Sequence, residues 1–72
     1  MDRFGEKLRQ LRTGRNLTLK VLSGRLGYSS HSYLQALESG KKTPTALFVL
    51  KVSRFFDVTT DQLLKDELDI NG

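Results

Sequence analysis

No cysteine occurs among the 72 residues, which removes disulfides as a source of stability and thiolates as metal ligands. The single histidine has neither cysteines nor clustered carboxylates beside it, so no metal site is expected. No apolar run approaches the roughly 20 residues of a membrane span, and the N-terminus lacks the apolar core of a secretion signal. The expected compartment is therefore a reducing cytoplasm. No nucleophile–base pair and no phosphate-cradling glycine loop is present, and the chain is too short to enclose a pocket. An enzyme, a cofactor and a small-molecule ligand are accordingly not expected, and Asp61 and Asp66 read as solvated helix charges.

The charge that is present is unevenly placed. Residues 1–54 carry eleven Lys/Arg against three carboxylates, a net +8, whereas residues 55–72 carry one lysine against five carboxylates, a net −4. A basic body with an acidic end suits a polyanionic partner on one side. The length fits one domain near the lower limit for a self-sufficient core. We divide it into a body over residues 1–66 and an acidic C-terminal tail over 67–72.

Apolar spacing predicts helices throughout. Phe4, Leu8 and Leu11 form a stripe over residues 2–15, after which Asn16 suits a left-handed residue and Leu17 folds back as an apolar plug. Thr18 is placed to cap a second helix through its hydroxyl. That helix carries Leu19, Leu22 and Leu26, with the small Ser23 where another helix can approach, and Gly27 stops it. Gly24 inside it has no role beyond possible close packing. A third helix places Leu34 and Leu37 on one face and His31, Ser32, Gln35 and Ala36 on the other, with Gly40 at its end. Its start is ambiguous: Ser29 or Ser30 can cap it, but Ser32 with Gln35 also fits a capping box. A helix with an apolar underside and a polar, uncharged outer face suits the reading of base edges in a major groove.

Thr43 as cap and Pro44 as first helical residue predict a fourth helix over residues 44–56. Val49, Val52 and Phe56 form its core face, which leaves Leu47, Phe48 and Phe55 near the edge or outside. That surplus suggests an association surface, although a wider core would also use it. Thr59 and Gln62 form a capping box for a fifth helix running to about residue 66, and the tail with Leu68 either frays or joins a dimer contact with Leu64.

The stretch over residues 17–40 resembles the helix-turn-helix of the Cro/C1-type (XRE-like) repressors. The likeness rests on Leu22–Ser23, Gly27 at the turn, the pair Leu34 and Leu37, and the exit over residues 37–45, LESGKKTPT. Two features depart from the family pattern. The turn between Gly27 and Leu34 is one residue longer than the commonest form, and Leu19 stands where many members carry a glutamine that touches the DNA backbone. The resemblance implies an all-α, compact five-helix domain that binds double-stranded DNA as a homodimer on a near-palindromic operator, as a repressor or controller protein at the nucleoid. In its register the third helix is capped at Ser29 or Ser30. His31, Ser32, Gln35 and Ala36 then read bases, while Thr18, Lys20, Ser29, Ser30, Tyr33, Ser39, Lys41 and Lys42 meet the backbone. His31 and Gln35 as merely solvated residues, and Tyr33 as rim packing, are the plain alternatives. The resemblance also pairs Arg12 with Glu38, a structural tie between the first and third helices. Leu47, Phe48, Phe55, Leu64 and Leu68 are the expected dimer residues. A protein-binding or antitoxin-like module with only non-specific DNA affinity is the second reading.

Overall fold

The computed structural model describes residues 1–70, which form α1 (Phe4–Gly14), α2 (Leu19–Arg25), α3 (Ser32–Glu38), α4 (Ala46–Phe56) and α5 (Thr60–Leu64), with no strand among the described residues. The joints follow from local chemistry. Asn16 takes the left-handed conformation (φ 57°) after α1, and the Leu17 N–H returns to the Arg12 carbonyl. Thr18 accepts the Val21 N–H at 3.1 Å and so opens α2. Gly27 (φ 90°) and Gly40 (φ 78°) close α2 and α3. In each case the following N–H reaches back five residues, from Tyr28 to Ser23 and from Lys41 to Ala36, the pattern of a glycine-terminated helix.

Two helix bounds differ from the sequence expectation. The fourth helix begins at Ala46 rather than Pro44, because Thr45 and not Thr43 supplies the cap, accepting the Phe48 N–H at 3.1 Å. Thr45 is held at this point by donating its own N–H to the Tyr33 hydroxyl. The capping box of Thr59 and Gln62 opens α5, but the helix ends at Leu64 instead of residue 66. The buried Lys7 explains this: its Nζ donates to the carbonyls of Gln62 (2.6 Å) and Lys65 (2.7 Å), occupying acceptors at the end of α5.

Asp66, once outside the helix, is not a merely solvated charge. Its carboxylate accepts the backbone N–H groups of Asp2 (2.9 Å) and Arg3 (3.0 Å) and faces the Met1 amino group at 3.2 Å. Arg3 in turn reaches the Asp66 carbonyl and Asp69, and Ile70 is buried. Of the tail assigned to residues 67–72, the last two lie outside the described residues. The hydrogen bonds from Arg3 and Asp2 hold the Asp66 carboxyl below the usual carboxylate range, at about 2. A folded-state value below that of the unfolded chain stabilises at neutral pH, and the contribution is lost as pH falls from about 4 toward about 2. Asp66→Asn is expected to melt lower than wild type at neutral pH, and to close that gap on acidification. Parallel melting curves across that range would assign the acid sensitivity to another group.

The core is built from one or two faces of every helix: Phe4, Leu8, Leu22, Leu26, Leu34, Leu37, Phe48, Val49, Val52, Phe56 and Leu63. Phe48 is its hub. It is fully buried, not at the edge of α4, and its ring lies 5.2 to 6.3 Å from those of Tyr33, Tyr28 and Phe4. Fully enclosed, Phe48 cannot contribute to a dimer surface. The apolar arc of α4 is wider than Val49, Val52 and Phe56 because α1, the α2–α3 turn and α3 all bear on the Phe48 side. Leu47 and Leu50 remain exposed, at 60% and 38%. Gly24 faces open space, which excludes close packing as its role, whereas the close approach is made at Gly5 against the backbone of Leu37 and Glu38. Ser23 is buried with its hydroxyl unpartnered among the described residues.

Candidate nucleic-acid interface

The recognition surface is assembled around the short α3. Leu34 and Leu37 are sealed into the core, while His31, Ser32, Gln35 and Ser39 are exposed and Ala36 is half-buried. Ser32, Gln35, Ala36, Ser39 and Lys41 line one shallow concavity of about 290 Å³. Its walls offer hydroxyls, one amide and one methyl, with an ammonium at the rim. That chemistry matches base edges, since an amide or hydroxyl both donates and accepts and a methyl fits the thymine methyl.

Helix α3 begins at Ser32, so its cap position is His31, which makes no side-chain bond, and not Ser29 or Ser30 as the family register implies. The hydroxyl of Ser30 does the local work, accepting the Ser32 N–H at 3.2 Å and lying 3.0 Å from the Ser32 hydroxyl. His31 and Ser32 thus stand at the helix entrance, and Ser29 and Ser30 in the turn before it, all exposed. No box forms between Ser32 and Gln35.

Around this face lie the other polar groups. Thr18 and Lys20 are exposed at the start of α2, and Lys41 and Lys42 in the loop after α3. Neither loop lysine has a carboxylate within ion-pair reach among the described residues. The Ser39 hydroxyl donates to the Ala36 carbonyl. Tyr33 packs its ring against Tyr28 and Phe48 and accepts the Thr45 N–H with its hydroxyl. That hydroxyl keeps its own hydrogen to donate.

The angle of α3 is set from behind. Arg12 donates from Nε to Glu38 Oε2 (2.8 Å), from Nη2 to Oε1 (3.0 Å) and from Nη1 to the Leu17 carbonyl (2.8 Å). Both side chains are largely buried, at 14% and 9% exposure, and a paired fork of this kind fixes orientation as well as distance. Gly5 lets α1 approach the end of α3. Lys51, which sequence reasoning passed over, holds the turn: its Nζ donates to the Leu26 carbonyl at 3.1 Å and lies 4.9 Å from the centre of the Tyr28 ring. Lys7, Gly5, Lys51 and Asp66 all act on backbone distant in sequence, and no local pattern marks them. Among the described residues no group of His, Asp and Glu side chains is arranged to hold a metal, and no helix is long and apolar enough to cross a membrane.

Comparison with known proteins agrees with this geometry. The helix-turn-helix domain family matches residues 5–68. The chain is 47% identical over 64 residues to the HTH-type transcriptional activator BcrR of Enterococcus faecalis; the aligned part is 89% of this chain but 31% of that protein, so the chain spans about a third of its relative. The N-terminal DNA-binding domain of SinR from Bacillus subtilis superposes with a TM-score of 0.82 at 28% identity, covering 93% of this chain and 97% of that one. The restriction-modification controller protein C.AhdI from Aeromonas hydrophila gives 0.76 at 28% identity, over 88% and 94% of the two chains. None of the three is named as an enzyme. The chain belongs to the helix-turn-helix domain family, of the XRE-like, Cro/C1-type kind, with the DNA-binding fold of a transcription regulator.

Proposed function

We propose that the chain is a sequence-specific, double-stranded DNA-binding regulator that acts as a two-fold homodimer with α3 in the major groove. One observation carries the reading. Helix α3 is anchored by two fully buried leucines while its opposite flank stays free, uncharged and hydrogen-bonding. In this reading His31, Ser32, Gln35 and Ala36 face base edges. Thr18, Lys20, Ser29, Ser30, Tyr33, Ser39, Lys41 and Lys42 meet phosphates, which supply affinity without sequence information. Residues 1–66 form the DNA-binding body, against which Asp69 and Ile70 are docked, and this acidic end stays off the duplex. Leu47, Leu64 and Leu68, with the exposed Leu50, supply the apolar contacts of the dimer, whereas Phe55, half-buried and packed edge-on against Phe56, is left out of it; half-sites then lie about 34 Å apart. Likeness to a protein named as a transcriptional activator and to one named as a controller protein supports gene regulation at the nucleoid. Repression follows where the site overlaps a promoter.

Selection from random duplexes, followed by salt-dependent binding to the winning sequence, tests this reading. Gln35→Ala is expected to relax preference at one base position, by about 1–3 kcal/mol. Lys42→Ala should instead weaken all sequences alike and reduce the salt slope by about one. Identical behaviour of the two variants would abolish the division between reading and holding. In sedimentation, Leu47→Glu combined with Leu68→Glu should yield a folded monomer; an unaltered dimer moves the two-fold contact elsewhere.

A further inference from the structure

Between α2 and α4, away from the outer face of α3, lies a groove of about 370 Å³ lined by Arg25, Leu26, Lys51, Arg54 and Phe55. Its floor is apolar. Phe55 is only half-buried, packed edge-on against Phe56 at 4.9 Å. Arg15 extends the cationic rim, its guanidinium carbon lying 5.8 Å from the Phe55 ring centre and 4.9 Å from that of Phe56. Among the described residues none of Arg15, Arg25, Lys51 and Arg54 has a carboxylate within ion-pair distance, although Arg3, Arg12 and Lys65 are all paired. Lys51 and Arg15 are engaged with backbone carbonyls, so Arg25 and Arg54, both exposed, are the two cations left to meet a ligand.

We propose that this groove docks an acidic, amphipathic peptide segment of a partner protein, one apolar side chain seating between Leu26 and Phe55 while flanking carboxylates pair with Arg25 and Arg54. Charge complementarity identifies the occupant, because each guanidinium can take a carboxylate through two parallel hydrogen bonds. The aromatic floor separates it from DNA, since a phosphate backbone offers nothing that would cover Phe55. A second copy using the same groove about a two-fold axis would set Arg25 and Arg54 against their own counterparts, and like charges across an interface are unfavourable. The site thus leaves α3 free, and a DNA-bound chain can hold a second macromolecule.

The probe is a short synthetic peptide of glutamate, leucine and phenylalanine at helical spacing, titrated into the whole chain and followed by amide NMR, with a glutamine-for-glutamate peptide as control. Saturable shifts confined to the surroundings of Leu26, Arg54 and Phe55 are expected, absent with the control. Arg25→Gln combined with Arg54→Gln should weaken peptide binding by at least about tenfold while leaving the salt slope of duplex binding and the sedimentation coefficient unchanged. Shifts spread equally over Lys20, Lys41 and Lys42, or peptide binding indifferent to the double variant, would overturn the proposal. A flattened salt slope in that variant would assign the groove to DNA, and a changed sedimentation coefficient would assign it to a contact between copies; either outcome also overturns it. The titration contains no DNA, so its failure leaves the reading of α3 untouched.

Discussion

Replacing Phe48 with alanine is expected to cost about 4 kcal/mol, the range for truncating a fully buried aromatic. Domains of ordinary stability have 5–15 kcal/mol in total, and one this small sits toward the lower end. The melting temperature should therefore fall by roughly 20 °C. The reason is position as much as area. Phe48 touches the rings of Phe4 on α1, Tyr28 in the turn and Tyr33 on α3, so the cavity would open where those elements meet. DNA binding should weaken before global unfolding, because the turn and α3 lose their common support. Leu47, one residue earlier and 60% exposed, provides the contrast: Leu47→Ala should melt within a few degrees of wild type. Thermal unfolding followed by circular dichroism separates the two. A Phe48→Ala protein that melts normally but changes only its sedimentation would restore Phe48 to an association surface.

The same residue shows where sequence reading reaches its limit. Period and residue type reveal which helix faces are apolar, and Leu34 and Leu37 are found that way because a seven-residue helix with one apolar edge has a single way to lie. Helix α4 carries eight apolar residues between Ala46 and Phe56, and period alone cannot rank them. The outcome depends on how many neighbours surround the helix, which is tertiary information. Local hydrogen-bond chemistry was legible for the same reason that it is local. Asn16, Thr18, Gly27, Gly40 and the pair Thr59–Gln62 each act within five residues of themselves. The contact between Arg12 and Glu38 spans 26 residues and entered only through family resemblance. Lys7, which spans 55 and 58 residues to its two carbonyls, has no such guide in the sequence.

Gly5 is the other position where a small change should have a large effect. A Cβ added there would collide with the Leu37 carbonyl oxygen and come within 3.0 Å of the Glu38 carbonyl oxygen and 3.2 Å of its carbon. These are backbone atoms of α3, and neither can swing aside as a long side chain would. Gly5→Ala must therefore push α1 away from α3, at an expected cost of about 3 kcal/mol, the upper end for overpacking a tight contact, and a melting temperature lower by roughly 15 °C. The displaced carbonyls lie at the end of α3, beside the Glu38 carboxylate that Arg12 grips. The surviving folded molecules should therefore also bind the selected duplex less tightly. Gly24→Ala is the internal control, because nothing lies within 4 Å of a Cβ at that site. There, inside α2, the same substitution should stabilise by up to about 1 kcal/mol through helix propensity. Opposite signs for one chemical change at two helical glycines would identify interhelical spacing, rather than glycine content, as what Gly5 provides. Equal melting of the two variants would mean that α1 and α3 are not in backbone contact.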